Sequence, residues 1–198
     1  MEKIKIACIG DSLTWGFLTD NQETDSCPAV LGKLLGDAYE VRNFGANGHT
    51  LSKLGDMPYW SHLEESASWQ PDQVIMMLGT NDAKPRNWRG VFHYKEQYQE
   101  LIDYFKGLPH VPTLILNTIP AAFYMEGAMT YELLAEALSE IPEAVKEIGA
   151  ANQLQVIDVG KATANRPELF PVDGVHTSSA GAAFIAKTVF EAMHKQER

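Results

Sequence analysis

Ser12 sits in the run Gly10-Asp11-Ser12-Leu13-Thr14-Trp15-Gly16, flanked by glycines and preceded by the apolar stretch Ile4 to Ile9. A serine hydroxyl is a weak nucleophile at neutral pH. Enzymes that use one supply an adjacent base, usually an imidazole held by a carboxylate. Such a pair occurs near the other end of the chain, in Asp173-Gly174-Val175-His176, where the spacing lets one turn carry both groups. Among the other histidines, His62, His93, His110 and His194 are scattered, and only His49 adjoins a second block of chemical interest.

Attack by a serine on an ester carbonyl creates an oxyanion, and a hydrogen-bond donor aimed at it contributes roughly 3 kcal/mol in other enzymes. The backbone amides of Ser12 and Gly48 and the side-chain amide of Asn81 are three candidates. Gly48 lies in Asn43-Phe44-Gly45-Ala46-Asn47-Gly48-His49-Thr50, and Asn81 in Gly79-Thr80-Asn81-Asp82. Asp82 reads as a structural hydrogen-bonding partner rather than an acid. Aromatic residues follow close on these blocks, and Trp15, Trp60, Trp88 and Phe123 are the candidates for lining a substrate cleft.

These blocks need a frame that brings them together. Short apolar runs at Ile4 to Ile9, Tyr39 to Asn43, Val74 to Leu78, Leu114 to Leu116 and Val156 to Val159 predict strands. Amphipathic segments near 27–36, 60–68, 93–106, 129–149 and 178–195 predict helices, with Pro142 expected to break or kink the fourth. The last segment places Ala182, Ile185, Ala186, Val189, Phe190 and Met193 on one stripe, behind a capping Thr177 or Ser178. Alternation of this kind predicts a parallel sheet covered on both faces, with ligands bound at the carboxyl ends of its strands. Residues 1–198 read as one domain, without repeats or a long linker.

The blocks GDSLTWG, NFGANGHT, GTND and DGVH span residues 10–176, and in their order and spacing the chain resembles the SGNH hydrolase superfamily, also called GDSL esterases/lipases. The resemblance implies an α/β fold, a flavodoxin-like three-layer sandwich with a five-stranded parallel sheet. It implies Ser12 as nucleophile, His176 as base, Asp173 as its orienting carboxylate, and Ser12, Gly48 and Asn81 as the oxyanion hole. Gly48 is chosen over Gly45 because the family's glycine precedes a polar-Thr pair, here His49-Thr50. The stretches GDMPYW and GTNDAKPRNW are similar to bacterial members described as carbohydrate or sialate acetylesterases, which implies short acyl esters of sugars as substrates. The rival readings are a lysophospholipase or thioesterase acting on longer acyl chains, a sugar-binding module of the same fold without the reaction, and a flavodoxin-like phosphate or nucleotide binder.

Composition narrows the remaining classes. The chain has 198 residues, 45% of them hydrophobic and 21% charged, as in ordinary folded proteins. A net charge of -10 argues against nucleic acid as a partner, because binding it requires Lys and Arg to neutralise phosphates. The nucleophile elbow GxSxG of α/β-hydrolases, the dinucleotide fingerprint GxGxxG and the P-loop are absent. Neither H-E-x-x-H nor a Cys/His cluster occurs, so no metal and no cofactor are expected. Cys8 and Cys27 read as free thiols. With no bilayer-length apolar run and no signal-peptide core, neither membrane insertion nor export is expected, which leaves a cytoplasmic location. Oligomeric state is not readable from the sequence.

Overall fold

In a computed structural model, which describes residues 2–126 and 132–195, five strands form one parallel sheet in the order β2-β1-β3-β4-β5. They are β1 (Ile4–Gly10), β2 (Tyr39–Gly45), β3 (Gln73–Met77), β4 (Thr113–Asn117) and β5 (Gln155–Ile157). Alternate side chains feed two different cores, as the two-residue period of a strand requires. Ile6, Cys8, Ile75, Ile115 and Ile157 face one side, whereas Ala7, Ile9, Val74, Met76, Leu114 and Leu116 face the other.

On the first side lie α3 (Cys27–Leu35) and α8 (Ser179–Lys195). The predicted stripe of α8 buries Ala182, Ile185, Ala186 and Val189 against the sheet, and a large aliphatic side chain buried this way stabilises the fold by about 1.5–3 kcal/mol. Ser178 starts the helix, its Oγ accepting from the Gly181 amide at 3.2 Å. The second side carries α5 (Val91–Lys106) and α6 (Ala135–Asn152), which contribute Tyr98, Leu101, Ile102, Phe105, Ile141 and Val145 to the larger core. The result is a flavodoxin-like α/β/α sandwich.

Several boundaries depart from expectation. α6 runs through Pro142 without a break, and residues 129–131 of the predicted 129–149 helix fall outside the described segments. The predicted helix 60–68 divides into a 3-10 turn over Tyr59–His62 and α4 (Leu63–Ser68). The last strand ends at Ile157 because Asp158 caps α7 (Val159–Thr163), its Oδ1 accepting from the Lys161 amide at 2.9 Å. Two short helices, α1 (Ser12–Trp15) and α2 (Gln22–Asp25), bridge β1 and α3. Cys8 and Cys27 are both free, and burial raises both thiol pKa values, that of Cys27 up to about 12. Among the described residues no helix is long and apolar enough to cross a membrane.

Candidate active site

Three of the four chemical blocks leave the sheet at the carboxyl end of a strand, and the fourth, Asp173–His176, lies in the loop before α8. β1 hands the chain to Asp11 and Ser12, β2 to the Gly48 loop, and β3 to Gly79-Thr80-Asn81-Asp82. The order β2-β1-β3 makes β1 the point where the chain's path reverses, and that is where a sheet of this kind opens a crevice. A separate concavity of about 470 Å³, lined by Ile4, Lys5, Asp72 and His110, lies at the opposite, amino end of β1 and β3.

At that carboxyl end Ser12 Oγ lies 2.8 Å from His176 Nε2, and His176 Nδ1 lies 2.6 Å from Asp173 Oδ2. Ser12, from one end of the sequence, and the Asp173–His176 pair, from the other, form one hydrogen-bonded chain. With Nδ1–H donated to the carboxylate, His176 presents the Nε2 lone pair to the serine hydroxyl. Asp173 is fixed by its own turn: Oδ1 accepts from the amides of His176 at 2.7 Å and Val175 at 2.9 Å. Burial pushes its pKa up, but the His176 side chain and these two amides outweigh that and hold it below the ordinary carboxylate value. The turn depends on Gly174, whose φ is +75° and whose amide and carbonyl sides are both engaged. Phe123 N donates to Gly174 O at 2.8 Å, and Gly174 N donates to Phe170 O at 3.2 Å.

The oxyanion candidates converge on the same end. Ser12 opens α1, where an amide has no preceding turn to donate to. Gly48 turns with φ +78°, a conformation that favours glycine. Asn81, 1% exposed, gives one Nδ2 hydrogen to His49 O at 3.1 Å, which leaves its second N–H for another acceptor. Asn87 braces it from behind, donating Nδ2 to Asn81 O at 2.9 Å. Asp82 acts as the structural partner its sequence context implied, accepting from the amides of Leu51 and Ser52, each at 2.8 Å. Burial raises its pKa to about 6, against the pull of those amides.

The turn holding Ser12 has a second buried carboxyl. Asp11 caps α1, with Oδ1 accepting from Leu13 N at 3.0 Å, and is 1% exposed. Burial, helped by the charge of nearby Asp82, pushes its pKa up to about 7, while the Leu13 amide, Thr80 and Lys84 pull the other way. His49 is linked to a second imidazole: His49 Nδ1 meets Asn47 O and its Nε2 meets His62 Nε2, both at 2.9 Å.

Of the four aromatic residues expected at the cleft, Trp15 and Phe123 adjoin segments that carry the triad. Trp15 ends the helix that Ser12 begins, and Phe123 packs on Phe170 with ring centres 5.4 Å apart, next to the Asp173 turn. Trp60 and Trp88 instead pack against the larger core. The Trp60 indole donates to Leu51 O at 2.7 Å beneath the Lys53 ammonium, and Trp88 lies 6.3 Å from the Tyr94 ring. Two further side chains border the site: the exposed Phe17 ring meets the His176 ring edge-on at 4.8 Å, and Met57 Sδ faces Gly48. Phe17 directly follows the GDSLTWG block, and that adjacency to the nucleophile is its signal in the sequence. Among the described residues no group of three or more His, Cys, Asp or Glu side chains could hold a metal ion.

Comparison with known proteins bears on this arrangement. Residues 8–184 match the model of the GDSL-like lipase/acylhydrolase family. An acetylxylan esterase of Xylanibacter ruminicola is 29% identical over 97% of this chain, which in turn covers 43% of that protein. The chain thus spans less than half the length of this curated relative. Among solved structures, an aryl esterase of M. smegmatis superposes with a TM-score of 0.84 at 21% identity, covering 98% of this chain and 99% of that one. A carbohydrate acetylesterase of Sinorhizobium meliloti superposes with a TM-score of 0.85 at 18% identity, covering 98% and 100%.

Proposed function

The chain belongs to the GDSL-like lipase/acylhydrolase family, and from that premise we propose that it is a carboxylic ester hydrolase that removes short acyl groups, acetyl first, from carbohydrates through an acyl-enzyme on Ser12. The observation that carries the mechanism is the continuous hydrogen-bonded chain from Ser12 Oγ through His176 to Asp173.

In this reading His176 Nε2 takes the Ser12 proton as Oγ attacks the ester carbonyl carbon. The tetrahedral oxyanion is met by the amides of Ser12 and Gly48 and by the free N–H of Asn81. Its collapse breaks the bond to the alcohol, which leaves with the proton carried by His176. A water molecule, deprotonated by the same imidazole, then attacks the acyl-enzyme, and the acid departs as Oγ regains a proton. Asp173 remains ionised throughout and steadies the imidazolium.

The sugar acetate preference is supported by the names of the relatives, an acetylxylan esterase and a carbohydrate acetylesterase. It is tested by initial rates on p-nitrophenyl esters from acetate to dodecanoate, alongside acetate release from acetylated xylo-oligosaccharides. Highest kcat/KM on the acetate, with release from the sugar, supports it. One observation favours a second reading, a longer-chain esterase: the exposed apolar side chains Phe17, beside His176, and Met57, beside Gly48. A rate that climbs with chain length would select that reading.

A further inference from the structure

A concavity of about 270 Å³ opens at the carboxyl end of β2, lined by Trp15, Gln22, His62 and Glu65 over a floor of Asn43 and Gly45. It lies at the same pole of the sheet as Ser12, and one of its walls is part of the nucleophile's own helix, since α1 begins at Ser12 and ends at Trp15. A second wall reaches the proposed oxyanion loop: His62 is bonded to His49, the residue after Gly48.

The aromatic wall is fixed by backbone. Gly45 approaches α1 so closely that a β-carbon there would lie 2.2 Å from Trp15 N, and Asn43 donates Nδ2 to Trp15 O at 3.1 Å while accepting from Gly45 N at 2.9 Å. Asn43 is thereby used up in holding the turn. Other groups lining the same concavity are not. Among the described residues, the side chains of Gln22 and Glu65 have no hydrogen-bond or ion-pair partner. Together with His62 they offer a carboxylate that accepts, an amide that both accepts and donates, and an imidazole.

An apolar acyl chain would offer these polar groups nothing to bond. Phosphate or sulfate would meet the Glu65 charge. A neutral ring with hydroxyls around its edge and C–H groups on its face matches both the indole and the polar arc. The volume suits one such ring, lying below the roughly 300 Å³ at which sites for drug-sized ligands begin.

Resting on the carbohydrate reading of the Ser12 site, we infer that this concavity is a glycosyl subsite, which holds a sugar ring next to the one bearing the scissile ester. It gives the enzyme a preference for oligosaccharide over isolated acetyl esters, through Gln22, Glu65 and the face of Trp15.

The test compares kcat/KM on partially acetylated xylo-oligosaccharides with that on p-nitrophenyl acetate, in the wild type and in the Gln22→Ala, Glu65→Ala double variant. The expected result is that the ratio of the two constants falls about tenfold in the double variant, mostly through KM for the oligosaccharide. A ratio within about twofold of the wild type overturns the subsite and leaves the carbohydrate reading intact. A wild type that hydrolyses p-nitrophenyl acetate but releases no acetate from the oligosaccharides overturns both. Should the double variant melt early, Glu65→Gln at this exposed position gives the same readout, with a smaller but measurable fall in the ratio expected and an unchanged ratio contradicting the subsite.

Discussion

Asn81 donates its side-chain amide to the carbonyl of His49, 3.1 Å away, and so ties the loop after β3 to the loop after β2 at the residue following Gly48. Two proposed oxyanion donors, from separate strands, are thereby held in one register. Removing the amide takes away both a donor and the tie. Asn81→Ala is expected to lower kcat by about 10²–10³-fold with a much smaller change in KM, as for an oxyanion donor in other hydrolases. Steady-state kinetics on p-nitrophenyl acetate check this, and a kcat within about tenfold of the wild type would argue that Asn81 only braces the loop.

The Asp173–His176 contact makes a sharper prediction about charge. Asn at position 173 keeps the size and loses the charge, so the imidazole is no longer held with Nδ1 protonated. Asp173→Asn is expected to reduce kcat by about 10⁴-fold while leaving KM within a few-fold. Because the folded pKa of Asp173 is depressed, its contribution to stability is present above the ordinary carboxylate range and is lost only as pH falls below it. Loss of activity on mild acidification therefore does not arise from Asp173. If Asp173→Asn retained a tenth or so of wild-type kcat, the carboxylate would not be orienting the base.

Asp11 behaves in the opposite sense. Its folded pKa is raised to about 7, so between the ordinary carboxylate range and that value the native chain keeps a proton that the unfolded chain has released. Stability then falls as pH rises through this window. Asp11→Asn retains an oxygen for the Leu13 amide and removes the titration. Its melting temperature relative to the wild type is expected to gain about 5 °C between pH 5 and pH 8, measured by thermal unfolding. An offset that stays constant with pH would mean that Asp11 does not titrate in this window. The buried neighbour Asp82, raised to about 6, leaves a residual pH dependence in the variant.

How far the site could be read before the fold was known varies residue by residue. Ile6 and Cys8 against Ala7 and Ile9 show the alternation that makes β1 a two-sided strand, and the α8 stripe from Ala182 to Val189 follows the helical period, so both were legible from apolar spacing. Helices α1, α2 and α7, four or five residues long, are too short to show a period. Val159 looked like strand because it is apolar and β-branched. Its helical state comes from the Asp158 cap. Pro142 was expected to break or kink its helix; α6 is not broken there, because packing of Ile141 and Val145 into the core outweighs the lost hydrogen bond. Ser12, Asp173 and His176 could be nominated by residue type and order, but the distance between Ser12 and His176 depends on the end of β1 and the loop before α8 meeting in space. Gln22 and Glu65 carried no signal, since a polar surface residue acquires meaning only from what folds opposite it.

Gly174 is the backbone element on which the triad turn rests. Its φ is +75°, and a β-carbon would fall 1.9 Å from the carbonyl oxygen of Phe123. Gly174→Ala must therefore move either the Asp173–His176 turn or the Phe123 segment. An alanine in such a conformation costs at least about 1 kcal/mol before any clash. The variant is expected to melt several degrees lower and to lose most of its activity, read by calorimetry and ester hydrolysis on the same sample. Full activity with an unchanged melting temperature would show that the turn is not so constrained.

The most direct test of the proposed chemistry is to catch the covalent intermediate. Mixing the enzyme with excess p-nitrophenyl acetate, quenching in acid within the first turnovers and digesting for mass spectrometry should yield an acetylated peptide with the modification on Ser12. The Ser12→Ala protein, folded to the same melting temperature, should give no such peptide, and its kcat should fall by about 10⁴-fold or more. Acetyl on another residue, or hydrolysis that survives the loss of the Ser12 hydroxyl, would contradict a mechanism built on Ser12, His176 and Asp173.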